Sequence, residues 1–174
     1  MCGIIDDLLW LAKVARTELY VQEIDLSREA GEILSKKQAT DADRQTECVT
    51  EPGITAQGDP GLARVVLENL LSDAWKYSSR TDAAKIEFGQ QAAADGSCVF
   101  FERDNGAGFD MAKASSLFAP FRRLHDQKEF AGTGVGLATV QRVISRQGGR
   151  IGAEAAVGKG ATFFFRLPGS KRRE

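Results

Sequence analysis

Four residues near the middle of the chain have the chemistry and spacing of a phosphate and metal site. Asn69 and Asp73 are four residues apart, so a helix would place both on one face, and Lys76 and Tyr77 follow one turn later. Two side-chain oxygens arranged in this way are suitable ligands for Mg²⁺ on a triphosphate, and Lys76 can neutralise phosphate charge. The alternative is a polar helix face in contact with water, and this segment alone does not separate the two.

A second acidic residue lies beside two glycines. Asp104 ends an apolar, strand-like run and is followed by Asn105-Gly106-Ala107-Gly108. A carboxylate here accepts a hydrogen bond from the exocyclic amine of adenine, whereas guanine presents an acceptor oxygen, a mismatch that costs about 1–3 kcal/mol. The glycines leave room for a base and a ribose. A tight Asp-Asn-Gly hairpin turn is the alternative, but it does not account for the second glycine.

Two further glycine-rich segments follow. Gly132-Thr133-Gly134-Val135-Gly136-Leu137 precedes a helix-like run, and backbone N–H groups at a helix start suit phosphate oxygens. The segment is not a dinucleotide fingerprint, because no strand ends directly before it, and it is not a P-loop, because no Gly-Lys-Ser/Thr ends it. Gly158-Lys159-Gly160-Ala161-Thr162 is consistent with a hairpin turn and with a nucleotide contact through Thr162.

Taken in order, these segments resemble the ATP-binding domain of sensor histidine kinases, which are GHKL or Bergerat-fold ATPases. The run from Asn69 to Tyr77 resembles the N box, Asp104 to Gly108 the G1 box, Leu117 to Arg123 the F box and Gly132 to Leu137 the G2 box. The resemblance implies a bound nucleotide in contact with Asn69, Asp73, Lys76, Tyr77, Asp104, Gly106, Gly108, Phe109, Arg123, Gly132, Thr133, Gly134, Val135, Gly136, Leu137 and Thr162.

Within that set, the resemblance implies catalytic roles for Asn69, Lys76 and Arg123, with Arg123 reaching the terminal phosphate. It also implies that Asn69 and Asp73 bind Mg²⁺. Asp73 departs from the family, which has a second asparagine there, and its negative charge near the phosphates predicts a stronger dependence on metal. We expect the two phenylalanines of the F box, Phe118 and Phe121, to pack in the core.

The resemblance further implies the function: an ATP-binding catalytic domain that transfers the γ-phosphoryl group of ATP to a histidine outside this chain, for use by a response regulator. The only histidine is His125, just beyond the F box, where we expect a solvated residue of the ATP lid. One alternative is a stand-alone ATPase, although such enzymes place a glutamate where this chain has Asn69, with Glu68 adjacent. Another is a non-catalytic module for nucleotide binding and dimerisation.

Composition sets limits on partners and location. The 174 residues carry a net charge of -1, which gives no support for binding nucleic acid or an anionic membrane. Three widely spaced cysteines form no zinc motif and suit a reducing compartment. With no apolar run long enough to span a bilayer, we expect a soluble, cytoplasmic domain, and a membrane-anchored parent protein is compatible with this.

The hydrophobic periodicity predicts the elements that position these motifs. Apolar residues spaced along 4–20 predict a helix with a broad face that seeks a partner. The resemblance assigns residues 1–22 to the second helix of a dimerisation hairpin, and hence a homodimer, residues 23–168 to the ATP-binding domain, and 169–174 to a basic tail. Ser27 is a candidate cap for a helix over 28–37, and Asp59 with Pro60 marks the start of a helix that ends at Tyr77.

The remaining elements complete the predicted fold. After a loop over 38–44, we expect strands over 47–50, 85–89, 97–103, 150–155 and 161–167, with helices over 110–118 and 133–147. Adjacent strands joined by short turns favour antiparallel pairing. The expected fold is an α/β (α+β) two-layer sandwich, in which helices cover one face of a mixed, largely antiparallel sheet.

Overall fold

The computed structural model describes residues 4–14, 16–126 and 128–170 and contains the two predicted layers. The helices are α1 (Ile4–Val14), α2 (Leu26–Thr40), α3 (Pro60–Tyr77) and α4 (Gly136–Arg146), with a short 3₁₀ helix at Met111–Ser116. The strands are β1 (Gln22–Asp25), β2 (Thr46–Thr50), β3 (Thr55–Gly58), β4 (Ala84–Ala92), β5 (Cys98–Asp104), β6 (Arg150–Ala155) and β7 (Ala161–Arg166).

The main sheet has five strands in the order β2-β4-β5-β7-β6. The pair β2 and β4 is parallel, and the other three pairs are antiparallel. This confirms a mixed, largely antiparallel sheet. A separate two-stranded ribbon pairs β1 with β3. No helix among the described residues is long and apolar enough to cross a membrane.

The core lies between one face of the sheet and the helices. Alternate residues of the strands point toward it, as period-two geometry requires. Phe88, Phe100 and Phe165 are among the fully buried sheet residues. From the helix layer, Leu70 of α3 and Val140 of α4 are fully buried against them. The floor of any site at the end of β5 is therefore a densely packed apolar layer.

The helix that carries the N-box residues begins where the sequence predicts. The side chain of Asp59 accepts a hydrogen bond from the Leu62 N–H at 3.1 Å, and Pro60 occupies the first turn. Proline is favoured there because its missing N–H would have no partner in the helix. From this start α3 runs unbroken to Tyr77, and residues 69, 73 and 76 share one side of it.

The predicted cap of α2 is wrong. The cap is Asp25, whose side chain accepts from the Arg28 N–H at 2.9 Å, so the helix begins at Leu26. Ser27 instead joins two other parts of the chain: its hydroxyl donates to the Glu51 carbonyl at 2.6 Å and accepts from the Ile54 N–H at 2.8 Å. Asp25 therefore caps the helix, and the Ser27 hydroxyl is used for tertiary hydrogen bonds instead.

Several predicted boundaries also change. The first helix ends at Val14 instead of continuing to about residue 20, α2 extends into the predicted loop as far as Thr40, and β4 extends beyond Gly89 to Ala92. α4 begins at Gly136, so the glycine segment before it is irregular backbone and not a first turn. The strands β1 and β3 were not predicted. The side chains of Ile4, Leu8 and Leu11, which carry much of the predicted α1 face, lie outside the described part of the chain, as do residues 171–174 of the predicted tail.

Candidate active site

A cavity opens between α3, the ends of β5 and β7, and the connection that leads into α4. We call residues 117–126 and 128–135 of that connection the lid segment. Most of the predicted site residues line this one cavity: Asn69, Asp73, Lys76, Tyr77, Asp104, Gly108, Phe109, Arg123, Gly132, Thr133, Gly134, Gly136 and Leu137. The structure thus joins motifs that are up to 68 positions apart in sequence, as Asn69 and Leu137 are.

Asn69 is oriented by its own helix. Its side-chain amide nitrogen donates to the Val65 carbonyl at 2.8 Å, which leaves the side-chain oxygen pointing toward the start of α4. A Cβ atom at Gly136 would lie 2.8 Å from that oxygen, closer than side chains approach. Glycine at this position therefore lets α4 begin beside Asn69 and leaves an oxygen ligand facing the cavity.

One turn further along α3, Asp73 and Lys76 form an ion pair. The Lys76 Nζ and an Asp73 carboxylate oxygen are 3.1 Å apart, and both side chains are partly buried. Burial raises the pKa of Asp73, and Lys76 acts in the opposite direction. Burial by itself would lower the pKa of Lys76, but attraction to Asp73 and contact with Tyr77 raise it, so the lysine is charged. Lys76 also lies 4.4 Å from the centre of the Tyr77 ring, a cation–π contact.

Asp104 is in a different environment at the end of β5. It is only 6% exposed, and its carboxylate accepts the Gly106 N–H at 2.7 Å. Burial raises its pKa to about 6, while hydrogen bonds from the backbone of Gly106 and Ala161 oppose the shift. Above that pH the group is an ionised acceptor that is largely removed from solvent, the property needed to select a ligand that donates an N–H.

The glycines after Asp104 are required by close packing. A Cβ atom at Gly106 would collide with the carbonyl of Tyr77, and one at Gly108 would collide with the carbonyl of Ala156. Gly108 also has a φ of 59°, in the left-handed region that favours glycine. Gly106 therefore serves to join this turn to the end of α3, and Gly108 itself lines the cavity.

Hydrogen bonds from Arg123 connect the two halves of the lid segment. Its guanidinium donates to the carbonyls of Phe130 and Gly132. The Phe121 N–H donates to the Gly134 carbonyl at 3.0 Å, with Phe121 at a φ of 62°. This backbone turn leaves the Phe121 side chain 52% exposed, so the prediction that it packs in the core is wrong. Phe118, in contrast, packs against the core as predicted.

The sequence led us to expect that His125 is a solvated residue of the lid. It does lie in the lid segment, but it is partly buried. It lines the cavity, and its ring centre lies 4.9 Å from that of Tyr77 and 5.4 Å from that of Phe130. Burial lowers its pKa, so the imidazole is neutral at pH 7. The histidine therefore belongs to an aromatic wall that connects the lid segment to the end of α3.

Three predicted contacts do not line the cavity. Gly106 packs behind it, and Val135 is 1% exposed in the core. Thr162 is on the opposite face of β7 from Ala161 and Phe163, which do line the cavity, and its hydroxyl accepts from the Arg103 Nε at 3.3 Å. Strand alternation explains this, because neighbouring residues point to opposite faces of a sheet.

Sequence reasoning missed Glu102, which is next to the site. This residue is two positions before Asp104 on β5, is 1% exposed, and faces the helices as Asp104 does. Among the described residues, neither carboxyl oxygen has a hydrogen-bond partner. The signal was present in the alternation of Cys98, Phe100, Glu102 and Asp104, which places the glutamate on the buried face.

Comparisons with known proteins bear on the family and on the fold. A family model described as histidine kinase-, DNA gyrase B-, and HSP90-like ATPase matches residues 58–171. Cyanobacterial phytochrome A from Nostoc sp. is 31% identical over 175 residues, which cover 100% of this chain and 23% of that protein. The sensor protein kinase WalK from Staphylococcus saprophyticus is also 31% identical, over 97% of this chain and 28% of its own length.

Among solved structures, the fold is similar to that of full-length ShkA in its complex with AMPPNP. The TM-score is 0.78 at 23% identity, and the match covers 98% of this chain and 36% of that one. Since the identity is low, this similarity bears on the fold. The chain spans less than a third of the length of either curated relative.

Proposed function

This chain belongs to the family of histidine kinase-, DNA gyrase B- and HSP90-like ATPases, and from that premise we propose that its cavity binds ATP or ADP together with Mg²⁺. One observation carries the proposal. A single cavity combines a buried acceptor, Asp104, with the Asn69, Asp73 and Lys76 face of α3 and the glycine segment before α4. The first suits the amine of adenine, and the others suit phosphates and a metal.

The donor set fits Mg²⁺. The side-chain oxygen of Asn69 and the carboxylate of Asp73 are hard oxygen ligands, which Mg²⁺ prefers over nitrogen or sulfur. When bound, the metal supplies positive charge to the β- and γ-phosphates. In the structure the Asp73 carboxylate faces Lys76 instead, so we infer that Lys76 moves from Asp73 to a phosphate oxygen when the metal binds.

Each remaining residue has a role that follows from its position. Asp104 accepts a hydrogen bond from the base, and the lid segment covers the ligand and excludes water. Arg123 is held by carbonyls within the lid segment, so it must release them before it can contact a terminal phosphate. Its planar guanidinium is suited to that contact, because it binds two oxygens at once.

We further propose that the chain is the ATP-binding catalytic part of a sensor histidine kinase. The support comes from two relatives, one named as a sensor protein kinase and the other as a phytochrome. In this proposal the γ-phosphoryl group passes to a histidine outside this chain and then serves a response regulator. Because ATP is held in the cytoplasm, we infer a cytoplasmic location.

The test has two stages. Calorimetry should detect ATP and ADP binding that is stronger with Mg²⁺, with GTP much weaker. Adding a purified dimerisation hairpin that carries an acceptor histidine, with γ-labelled ATP, should then label the hairpin. Absence of nucleotide binding would reject the whole proposal. Binding without transfer to any hairpin would support the non-catalytic nucleotide module.

A stand-alone ATPase has less support. Glu68, the acid that precedes Asn69 in sequence, is not among the residues that line the cavity, and it pairs with Arg64 at 3.1 Å. A catalytic carboxylate must be within hydrogen-bond reach of the attacking water. We therefore expect negligible steady-state phosphate release, and rapid release that Glu68→Gln removes would favour the hydrolase.

We also propose that α1 mediates self-association. Ile5 and Leu9 are 71% and 63% exposed, while Trp10 and Val14 pack on the domain. Each large apolar side chain contributes about 1.5–3 kcal/mol when fully removed from water. Light scattering should detect dimers that Leu9→Glu weakens and the exposed, polar control Lys13→Glu does not. A strict monomer at all concentrations would contradict this.

A further inference from the structure

Glu102 is a buried carboxyl group for which the proposed function has no use. On β5 its neighbours across the sheet are Phe88 and Phe163, and Phe100 precedes it on the same face. In such surroundings a carboxyl group without a partner is expensive, and apolar residues normally occupy the position. Within the described part of the chain, neither of its oxygens is hydrogen-bonded. A group of this kind next to a ligand cavity points to a ligand-dependent role.

The surroundings determine the protonation state of Glu102. Burial raises its pKa well above the ordinary value, and the charges of Asp104 and Asp73 raise it further. Its neighbour Asp104, held by the Gly106 N–H, is the better place for a negative charge. A carboxyl group that is 1% exposed, with no hydrogen-bond partner among the described residues, favours its neutral form. This end of β5 therefore combines an Asp104 carboxylate held by a backbone N–H with a Glu102 that keeps its proton.

The two carboxyl groups have opposite hydrogen-bonding capacity. Ionised Asp104 can only accept, whereas a neutral carboxyl group has one O–H to donate. The edge of adenine presents the matching pair: an exocyclic amine that donates and, on the adjoining ring atom, the nitrogen N1, which accepts. Asp104 satisfies the amine. The ring nitrogen needs a donor beside Asp104. Arg103, the adjacent residue, points to the exposed face of β5, so Glu102 is the nearest such group on the face of Asp104.

We propose that Glu102 is a specificity-determining residue that supplies this donor to the base. The proposal rests on the proposed nucleotide function. Glu102 does not itself line the cavity, but Asp104, two residues along the same face of β5, and Phe163, its partner across the sheet, both do. Its O–H therefore donates to one bridging water, whose two hydrogens are directed to N1 of the base and to Asp104. Guanine reverses both positions, with an acceptor oxygen and a ring N–H, so it loses both interactions.

The test is a cycle of two ligands and three proteins. The ligands are ATP and the ATP analogue in which N1 is replaced by C–H, both with Mg²⁺. The proteins are the unchanged chain, Glu102→Gln, which keeps a donor of the same size, and Glu102→Met, which has similar length and no donor. Glu102→Val is a second apolar variant. Calorimetry measures all affinities, and melting temperatures confirm folding.

We expect the unchanged chain and Glu102→Gln to bind the analogue about three- to tenfold more weakly than ATP, the range for one hydrogen bond. In Glu102→Met the two ligands should bind within about twofold of each other, while the melting temperature rises because an unpaired polar group has left the core. This rise in stability with a loss of discrimination separates a role in recognition from a purely structural one.

Three results would overturn the proposal. The first is that Glu102→Met and Glu102→Val bind the analogue more weakly than ATP by the same factor as the unchanged chain. The second is that the unchanged chain binds both ligands equally, and the third is that Glu102→Gln behaves like Glu102→Met. Failure of the proposed function is a separate result, because the unchanged chain would then bind neither ligand.

Discussion

Two aspartates face the same cavity in contrasting environments. Asp104, at the end of β5, is held by a backbone N–H and has no cation among its hydrogen-bond partners in the described residues. Asp73, on α3, is paired with Lys76 at 3.1 Å and is more exposed. The contrast indicates that the Asp104 carboxylate is fixed as an acceptor, whereas the Asp73 carboxylate is held by the Lys76 side chain, which can move away.

The backbone explains the division. At a strand end followed by a glycine turn, backbone N–H groups are fixed by the fold, as the Gly106 N–H is at Asp104, so we expect Asp104 to keep this geometry when a ligand binds. A helix face offers only side chains, because its backbone groups are already paired. Recognition of a base needs the fixed arrangement, and exchange of Lys76 for a metal needs the mobile one. The predictions below test this difference.

The largest effect should follow removal of the fixed acceptor. Asp104→Ala leaves the base amine without its charged acceptor, and we expect Mg²⁺–ATP affinity to fall by about 100-fold or more, at the upper end for a hydrogen bond to a charged group. Calorimetry measures the change. Asp82→Ala, at an exposed acid in the turn after α3, is the control. Unchanged affinity in Asp104→Ala would remove Asp104 from base recognition.

A pH titration should separate the two aspartates next. The pKa of Asp104 is raised to about 6 from an ordinary 3.8. Because binding needs the ionised form, affinity should fall about tenfold from pH 7 to pH 5. Stability should change in the opposite sense: an acid with a raised pKa stabilises the fold when protonated, and that contribution is lost as pH rises through about 6.

The comparison for this titration is Asp104→Asn, which cannot ionise. Groups that do not interact with Asp104 contribute equally to both proteins, so the difference between them reports Asp104 together with the carboxyl groups that its charge affects, Glu102 and Asp73. We expect the free energy of unfolding of the unchanged chain to gain about 2 kcal/mol relative to Asp104→Asn between pH 7 and pH 4. Parallel pH curves for the two proteins would show that Asp104 titrates in its ordinary range.

The contrast between the two aspartates also shows what sequence can and cannot predict. Local signals were reliable: the Asp59 cap with Pro60 placed α3, and the run to Asp104 placed the end of β5. Ser27 failed as a cap because Asp25, two residues earlier, competed successfully, and the choice depended on Glu51 and Ile54, which are distant in sequence. A helix cap can be predicted from local sequence only when the capping side chain makes no hydrogen bonds to distant parts of the chain.

The parts that could not be predicted depend on tertiary contacts. The strands β1 (Gln-Glu-Ile-Asp) and β3 (Thr-Ala-Gln-Gly) have little strand propensity and exist because they pair with each other. The exposure of Phe121 follows from a positive φ that only the lid packing imposes. Asp104, Gly108 and Gly132 line the cavity in which the sequence expected them, whereas the Asp73–Lys76 pair and the bonds of Arg123 were not predicted.

A smaller effect is expected at the mobile carboxylate. Asp73→Asn keeps an oxygen ligand for the metal, so Mg²⁺–ATP affinity should change by less than about threefold. Without metal, ATP affinity should rise, because the buried negative charge that repels the phosphates is gone and Lys76 is free. Glu68→Gln removes an acid from the same helix outside the cavity and is the control. Complete loss of Mg²⁺–ATP binding in Asp73→Asn would contradict the mobile role.

The smallest effect concerns the imidazole in the same cavity, for which we expect no phosphorylation. His125 is neutral and lines the cavity, so it has the right chemistry for a phosphoryl acceptor. Its ring, however, packs against Tyr77 and Phe130 at 4.9 and 5.4 Å, and transfer needs the acceptor nitrogen in line with the γ-phosphate. The chain alone with γ-labelled ATP should therefore gain no acid-labile label, and His125→Ala should leave this background unchanged. If the unchanged chain gains acid-labile label and His125→Ala does not, His125 is phosphorylated and its ring must leave Tyr77 and Phe130. The lid segment would then be as mobile as the Asp73–Lys76 pair, and Asp104 would be the part of the site that stays fixed.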